Sequence, residues 1–216
     1  MVFASGGHLL ACVVNQKDIH VYNFWTLECP ANMIFTGHVQ RVRCIQWFDN
    51  DLGFATCCQG GNVYFYDLYK YAGDFQVGSR NVEKDFTKKD VQFTSLALVP
   101  GKPYEALACS SDLTISHTGD QPIPTHRTLE QITQMQILPN GKTLVCGSKS
   151  GTIQVLARPD NKPIDKVNSV LAHSREVTKL RFSPTNEHLF SAGKDGMLCV
   201  FDLRDKDARM REMFQL

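Results

Sequence analysis

Ser191, His173 and Asp195 are the residue types of a nucleophile, its base and the carboxylate that orients the base. A hydrolase of that kind also needs a strained elbow around the serine and a Gly-rich oxyanion loop. The flanks of Ser191, Leu189-Phe190-Ser191-Ala192-Gly193, supply neither, so the expected role of the three residues is structural and no catalytic residue is expected. Gly147-Ser148-Lys149-Ser150-Gly151 has the composition of a phosphate loop. It lacks the Gly-Lys-Ser/Thr end and the following helix, whose dipole would hold a phosphate, and reads as a turn between strands. The eight cysteines contain no CxxC pair and no cluster at metal-ligand spacing, so neither a metal nor a cofactor is expected. Most of them lie in apolar strands, where a free thiol acts as a small hydrophobe, and a reduced, intracellular chain is the plain expectation.

The chain has 216 residues, enough for one domain with a substantial core, and 43% of them are hydrophobic. Its formal net charge of +1 gives no overall attraction to nucleic acid or an anionic membrane. No apolar run approaches the roughly 20 residues of a membrane span. The N-terminus lacks the charged region and apolar core of a signal peptide.

The elements that must position these residues are strands. Gly37-His38 to Tyr66-Asp67 runs as strand, Asp/Asn turn, strand of small residues, Gly-rich turn, and strand ending in an aromatic and Asp; Ala172-His173 to Phe201-Asp202 repeats the layout. The two His lie 135 residues apart, three periods of about 45. Five blade-like units follow. The first holds Phe3-Ala4-Ser5-Gly6-Gly7 as the end of an inner strand, then strands near Leu9–Val14, Ile19–Asn23 and Asn32–Phe35. The second runs Val42–Phe48, Gly53–Cys58 and Val63–Asp67; the third Phe93–Val99, Tyr104–Cys109, Leu113–His117 and Ile123–His126. The fourth runs Ile132–Leu138, Thr143–Gly147, Thr152–Leu156 and Lys166–Leu171; the fifth Val177–Phe182, His188–Gly193 and Met197–Asp202. Pro100-Gly101, Pro139-Asn140-Gly141 and Asp195-Gly196 mark turns, and no connection has helical periodicity over ten or more residues. The expected fold is all-β, a partial β-propeller of about five blades out of seven, over residues 1–202. Residues 203–216 are charged, with Met210, Met213 and Phe214 spaced for the start of a helix or coiled coil. A first blade entered part-way and a last blade without a fourth strand leave open sheet edges, which a further chain or segment is expected to complete.

Long loops in compact domains are usually functional or disordered, and Tyr69 to Asp90 is the longest connection. Tyr69, Tyr71, Phe75, Arg80, Lys84, Lys88 and Lys89 give it aromatics with a basic rim, a composition suited to partner contact. Phe24 and Trp25 form a second candidate in an exposed turn, whereas Trp47 belongs to an inner strand and the core.

The blade layout resembles the WD40-repeat propellers across nearly the whole chain. That resemblance implies a hydrogen-bonded set of His, Ser/Thr, Asp and aromatic in each full blade. It maps onto His173, Ser191, Asp195 and Phe201 in the last blade, where Phe201 cannot donate, and onto His38, Thr56, Gly60 and Tyr66 in the second, where Gly60 removes the carboxylate. Phe35-Thr36-Gly37-His38-Val39-Gln40-Arg41-Val42, Gly147-Ser148-Lys149-Ser150-Gly151 and Leu189 to Asp202, followed by the charged tail, resemble the last propeller of the cilia- and flagella-associated protein 57 group, WD-repeat proteins with a long coiled coil. The resemblance implies a non-enzymatic scaffold of the ciliary axoneme that docks and positions inner dynein arms on doublet microtubules. Its expected partners are inner-arm dynein and doublet-associated proteins, with no nucleic acid and no membrane. The alternative is a general cytoplasmic WD40 adaptor, such as a ubiquitin-ligase receptor or an RNA-processing scaffold.

Overall fold

Runs of apolar and small residues make the middle of each sheet. Gly53–Cys58 and Ala106–Ser110 are buried at every position and Thr143–Ser148 at all but the first, as strands covered on both faces must be. The computed structural model describes residues 1–68, 82–102, 104–119, 125–158 and 164–203, and the backbone of 211–215. These fall into two compact units, Met1–Ala108 and Cys109–Leu216, each described by itself.

Among the described residues twenty strands form five four-stranded sheets, the blades. The first blade is β1 (Val2–Phe3), β2 (Leu9–Val14), β3 (Asp18–Asn23) and β4 (Ile34–Phe35); the second is β5 (Val42–Trp47), β6 (Gly53–Cys58), β7 (Asn62–Asp67) and β8 (Lys84–Thr87). The third is β9 (Phe93–Leu98), β10 (Ala106–Ser110), β11 (Thr114–His117) and β12 (His126–Arg127). The fourth is β13 (Ile132–Ile137), β14 (Thr143–Ser148), β15 (Thr152–Ala157) and β16 (Asp165–Leu171); the fifth is β17 (Val177–Phe182), β18 (His188–Gly193), β19 (Leu198–Asp202) and β20 (Arg211–Gln215). In every sheet the strands lie side by side in chain order. The only helical element among the described residues is a single 3-10 turn, Ala31–Met33.

Two expectations change. The charged tail does not begin a helix at Arg211–Gln215, which pairs antiparallel with β19 and gives the last blade its fourth strand. The physical reason is the free edge of β19, whose backbone N–H and C=O groups need partners and outweigh a weak helical pattern. The first blade holds four strands as expected, its short innermost strand being Val2–Phe3, which pairs with Leu10–Ala11. In the second blade Lys84 is not in a loop: it opens β8 and pairs with Phe65. Tyr69, Tyr71, Phe75 and Arg80 lie outside the described residues.

In the first unit the core is aromatic. Phe35, Phe54 and Tyr66 are fully buried and meet at ring-centroid distances of 5.1–5.4 Å, with Trp47 edge-on to Phe54 at 5.4 Å. Trp47 Nε1–H donates to Val2 O at 3.0 Å, so the indole joins the first two blades by packing and by a hydrogen bond. The Asp51 carboxylate joins them again, accepting from the backbone N–H of Ser5 at 2.8 Å and of Gly6 at 2.7 Å. A second cluster packs Phe65 and Ala55 against Phe93 and Leu96. In the second unit Val145, Ile153, Val177, Leu180, Leu189 and Phe201 form the core between the fourth and fifth blades.

Phe54 touches three aromatic rings, and its truncation leaves a cavity that rigid neighbours cannot fill. Phe54→Ala is expected to cost about 3–5 kcal/mol in a denaturant titration. A loss under about 1 kcal/mol would show that the ring cluster is not the core of the first unit.

Candidate functional site

The chemistry-bearing residues gather where the turn between a blade's second and third strands meets the loop entering a first strand. In the fifth blade that entry loop carries His173. Its Nε2 lies 2.8 Å from Ser191 Oγ, and its Nδ1 lies 3.1 and 3.2 Å from the two Asp195 oxygens. A neutral ring with the proton on Nδ1 donates to Asp195 and accepts from the Ser191 hydroxyl at Nε2. Asp195 also accepts from Ser174 N–H at 2.9 Å and Met197 N–H at 3.1 Å. Desolvation pushes the Asp195 carboxyl up, but those two backbone donors and His173 outweigh it and hold its pKa below the usual carboxylate value. Only glycine fits at Gly193: a Cβ there would stand 2.4 Å from Asp195 Oδ1 and 2.5 Å from His173 Nδ1.

Ser191 is completely buried and His173 nearly so, which leaves no approach for a substrate to the hydroxyl. The three residues fasten an entry loop to a turn. Phe201, also buried, adds packing and no donor.

The other blades solve the same problem with other side chains. In the second, His38 Nε2 meets Thr56 Oγ1 at 2.6 Å, and the imidazole stacks on Tyr64 with centroids 4.4 Å apart. The WD40 resemblance points to Tyr66 and not to Tyr64 as the aromatic of this set; the Tyr66 hydroxyl instead donates to Thr36 O at 3.4 Å. In the third, Asp112 accepts from the Ser110 and Thr114 hydroxyls at 2.5 and 2.6 Å. Leu113 follows it at φ +64°, where the second, fourth and fifth blades have Gly61, Gly151 and Gly196. In the fourth the carboxylate has moved. Glu130, in the entry loop, accepts from Ser150 Oγ, which is 2.8 Å from Ser148 Oγ and 3.1 Å from Thr152 Oγ1. The Ser150 and Ser148 hydroxyls hold the Glu130 carboxyl below its usual range. Sequence reading missed Glu130 because it sought a carboxylate in the turn, where Ser150 stands.

The WD domain, G-beta repeat family matches residues 30–67, 121–155 and 165–202, just over half of the chain. The chain belongs to the WD40-repeat family. It is also homologous to cilia- and flagella-associated proteins 57. It is 29% identical over 224 residues to the 57 C protein of Tetrahymena thermophila, and 28% identical over 211 residues to the Mus musculus protein. Each match covers 96% of this chain but only 17% and 16% of those relatives. Among solved structures, the Myceliophteria thermophila Cps50 (Swd1) beta-propeller domain matches all of the chain with a TM-score of 0.80 at 14% identity, over 70% of that domain. A chain of the mitotic checkpoint complex matches 92% of it with a TM-score of 0.77 at 16% identity. At such identities these likenesses show the fold, that of WD40 β-propeller blades, and nothing of partners.

On the surface of the WD40 blades, one turn stands out. Asn23 Oδ1 accepts from Trp25 N–H at 3.0 Å, and Leu27 N–H donates to Asn23 O at 2.8 Å. The turn so fixed exposes 78% of Trp25 and 72% of Leu27, and Leu27 adopts φ +56°, a conformation costly for a branched residue. Phe24 links Trp25 to Phe3, with centroids 6.1 and 4.9 Å away. A notch of about 270 Å³ between Phe48, Asp49, Asn50, Leu98, Val99, Gly101 and Lys102 indents the same unit. Lys88 and Lys89 flank the turn of the second blade. Among the described residues no three His, Cys, Asp or Glu gather as a metal site, and no helix is long and apolar enough to cross a membrane. The thiols of Cys109 and Cys146 are buried together, with Met135 Sδ 3.5 Å from Cys109 Sγ; the hydrogen bond with Cys146 and burial push the Cys109 thiol up, toward an inert, protonated state.

Removing the imidazole leaves buried partners behind. His173→Ala is expected to lower stability by about 1–3 kcal/mol, and a loss below about 0.3 kcal/mol would exclude a structural role. Asp195 and Glu130 both titrate lower folded than unfolded. Their contribution is complete above about pH 4–5 and is lost as pH falls through the folded values. Asp195→Asn should therefore flatten the acid limb of a stability–pH curve; an unchanged limb would contradict the assigned network.

Proposed function

We propose that this chain is a non-enzymatic scaffold of the ciliary axoneme that docks and positions inner dynein arms on doublet microtubules. The single observation carrying the proposal is homology to cilia- and flagella-associated proteins 57 from a ciliate and a mouse over 96% of the chain. The chain spans about one sixth of the length of those relatives, and in this reading its blades act as a docking head. The turn that carries Phe24 and Trp25 supports the reading, since Asn23 Oδ1 accepts from Trp25 N–H at 3.0 Å. Phe24 and Trp25 are the proposed anchors, since exposed aromatics on a fixed turn bind at small entropic cost. Tyr69, Tyr71, Phe75, Arg80, Lys84, Lys88 and Lys89 are proposed as further contacts on the strength of the sequence.

A tagged chain expressed in ciliated cells is expected to co-fractionate with salt-washed axonemes. Replacing Phe24 and Trp25 with Ser should release it while leaving its thermal midpoint within about 2 °C, as for a surface change. A cytosolic wild-type chain would refute the ciliary role, and an axonemal double variant would refute the anchor.

A further inference from the structure

Gly60 occupies the turn position that holds Asp112 in the third blade, Asp195 in the fifth, and Ser150 bonded to Glu130 in the fourth. The second blade alone among these four has no carboxylate there or in the facing entry loop. The charges around Gly60 are then mostly of one sign. Lys17, Arg41, Arg43 and Lys89 are exposed, and none of them makes an ion pair among the described residues. Lys88 is half-buried beside them. Only Asp18 and Asp90 oppose these five in the same turns and loops.

Backbone bonds join the five into one surface within the first unit. Val42 N–H, between Arg41 and Arg43, donates to Gln16 O at 2.8 Å, which brings Lys17 alongside. Gln59 N–H donates to Arg41 O at 2.9 Å, and Lys88 N–H to Gly61 O at 2.8 Å. Lys89 takes the place in its entry loop that His38 and His173 take in theirs, four residues ahead of the buried Phe93, Val42 and Val177; unlike them it faces solvent. Arg41 and Arg43 are both exposed on either side of buried Val42, Arg43 at a break in the β5–β6 register. Val39, 78% exposed, lies amid the charges. The fifth blade is the internal contrast, since there Lys194 is paired with Glu176 and Asp195 is present.

We propose that this arc docks an extended acidic segment of a partner protein, rich in Glu or Asp and carrying an apolar residue that covers Val39. Arginine forks suit carboxylates, and several charge-assisted bonds together supply what one exposed pair does not. A polynucleotide fits less well: the chain as a whole carries only +1, and among the described residues the arc offers no exposed aromatic on which bases could stack. One valine is too little apolar surface to hold a membrane. The inference goes beyond the axonemal reading and does not depend on it. Localisation reports where the chain sits, and a solution titration reports what this surface takes.

The test is fluorescence anisotropy on the full chain with a labelled short Glu-rich peptide bearing one central Leu. A uridine oligonucleotide and phosphatidylserine vesicles are titrated in parallel. The peptide is expected to bind, more weakly as salt rises. Arg41→Glu with Lys89→Glu should weaken it at least about tenfold, and Lys149→Glu with Lys179→Glu, an equal charge change in the fourth and fifth blades, should leave it within about twofold. Circular dichroism melts check that each variant folds. Should the double variant fail to fold, Gly60→Asp gives an independent reading. An added Cβ there meets only side-chain atoms at 3.2–3.5 Å, and the restored carboxylate should weaken the peptide about threefold. The proposal is overturned if the peptide does not bind, if neither the double variant nor Gly60→Asp weakens it, or if the oligonucleotide or the vesicles bind as tightly.

Discussion

A backbone hydrogen bond between a turn and the loop behind it is the constraint on which the blades depend. The carbonyl of the turn between second and third strands accepts an N–H from the segment entering the next blade. Gly61 O takes Lys88, Leu113 O takes Thr128, and Gly151 O takes His173. A second bond runs from the same turn to its own blade's entry: Gln59 N–H to Arg41 O, Lys149 to Gln131, and Lys194 to Glu176. The first blade uses a later residue, Val42, against Gln16 O. Without these ties the backbone groups of two buried-edge loops would stay unpaired, and the strands on either side would lose their register. At Gly151 the approach is so close that a Cβ would stand 2.0 Å from His173 O, which explains a glycine at φ +96° there.

Because the backbone makes the tie, the side chains around it are free to differ. What they must supply is closure of the remaining polar atoms. A carboxylate from the turn does this in the third and fifth blades, a carboxylate from the entry loop does it in the fourth, and an imidazole stacked on Tyr64 stands in the second. That freedom links stability to function. A turn that does not spend an acid on its own loop presents a different charge to solvent, and Gly60 with its basic neighbours is the outcome. On another turn, the bonds to Asn23 leave Trp25 and Leu27 exposed among the described residues.

The sheets were legible in the sequence because buried second strands read as unbroken apolar or small runs and the turns carry Gly, Pro, Asn and Asp. Two sheets were read short. Lys84–Thr87 has the composition of a solvated loop, and Arg211–Gln215 has a charged, faintly helical pattern; each becomes a strand because a neighbouring edge needs its hydrogen bonds. At the site, the His173, Ser191 and Asp195 constellation was visible because all three stand in their usual places. Glu130 was not, since its partner Ser150 is 20 residues away and the acid stands on the other side of the contact. Tyr64 was hidden by the ordinary expectation that an aromatic in a strand serves the core.

Native-state hydrogen exchange of the tie amides tests the central claim most directly. The amides of Lys88, Thr128 and His173, with Gln59, Lys149 and Lys194, are expected to share one protection class close to that of the second-strand amides, although among the described residues only the fifth blade has the full His–Ser–Asp set. If only His173 and Lys194 are protected, and the amides of the second, third and fourth blades exchange like exposed loops, then the side-chain set and not the backbone tie holds the blades, and the account is wrong.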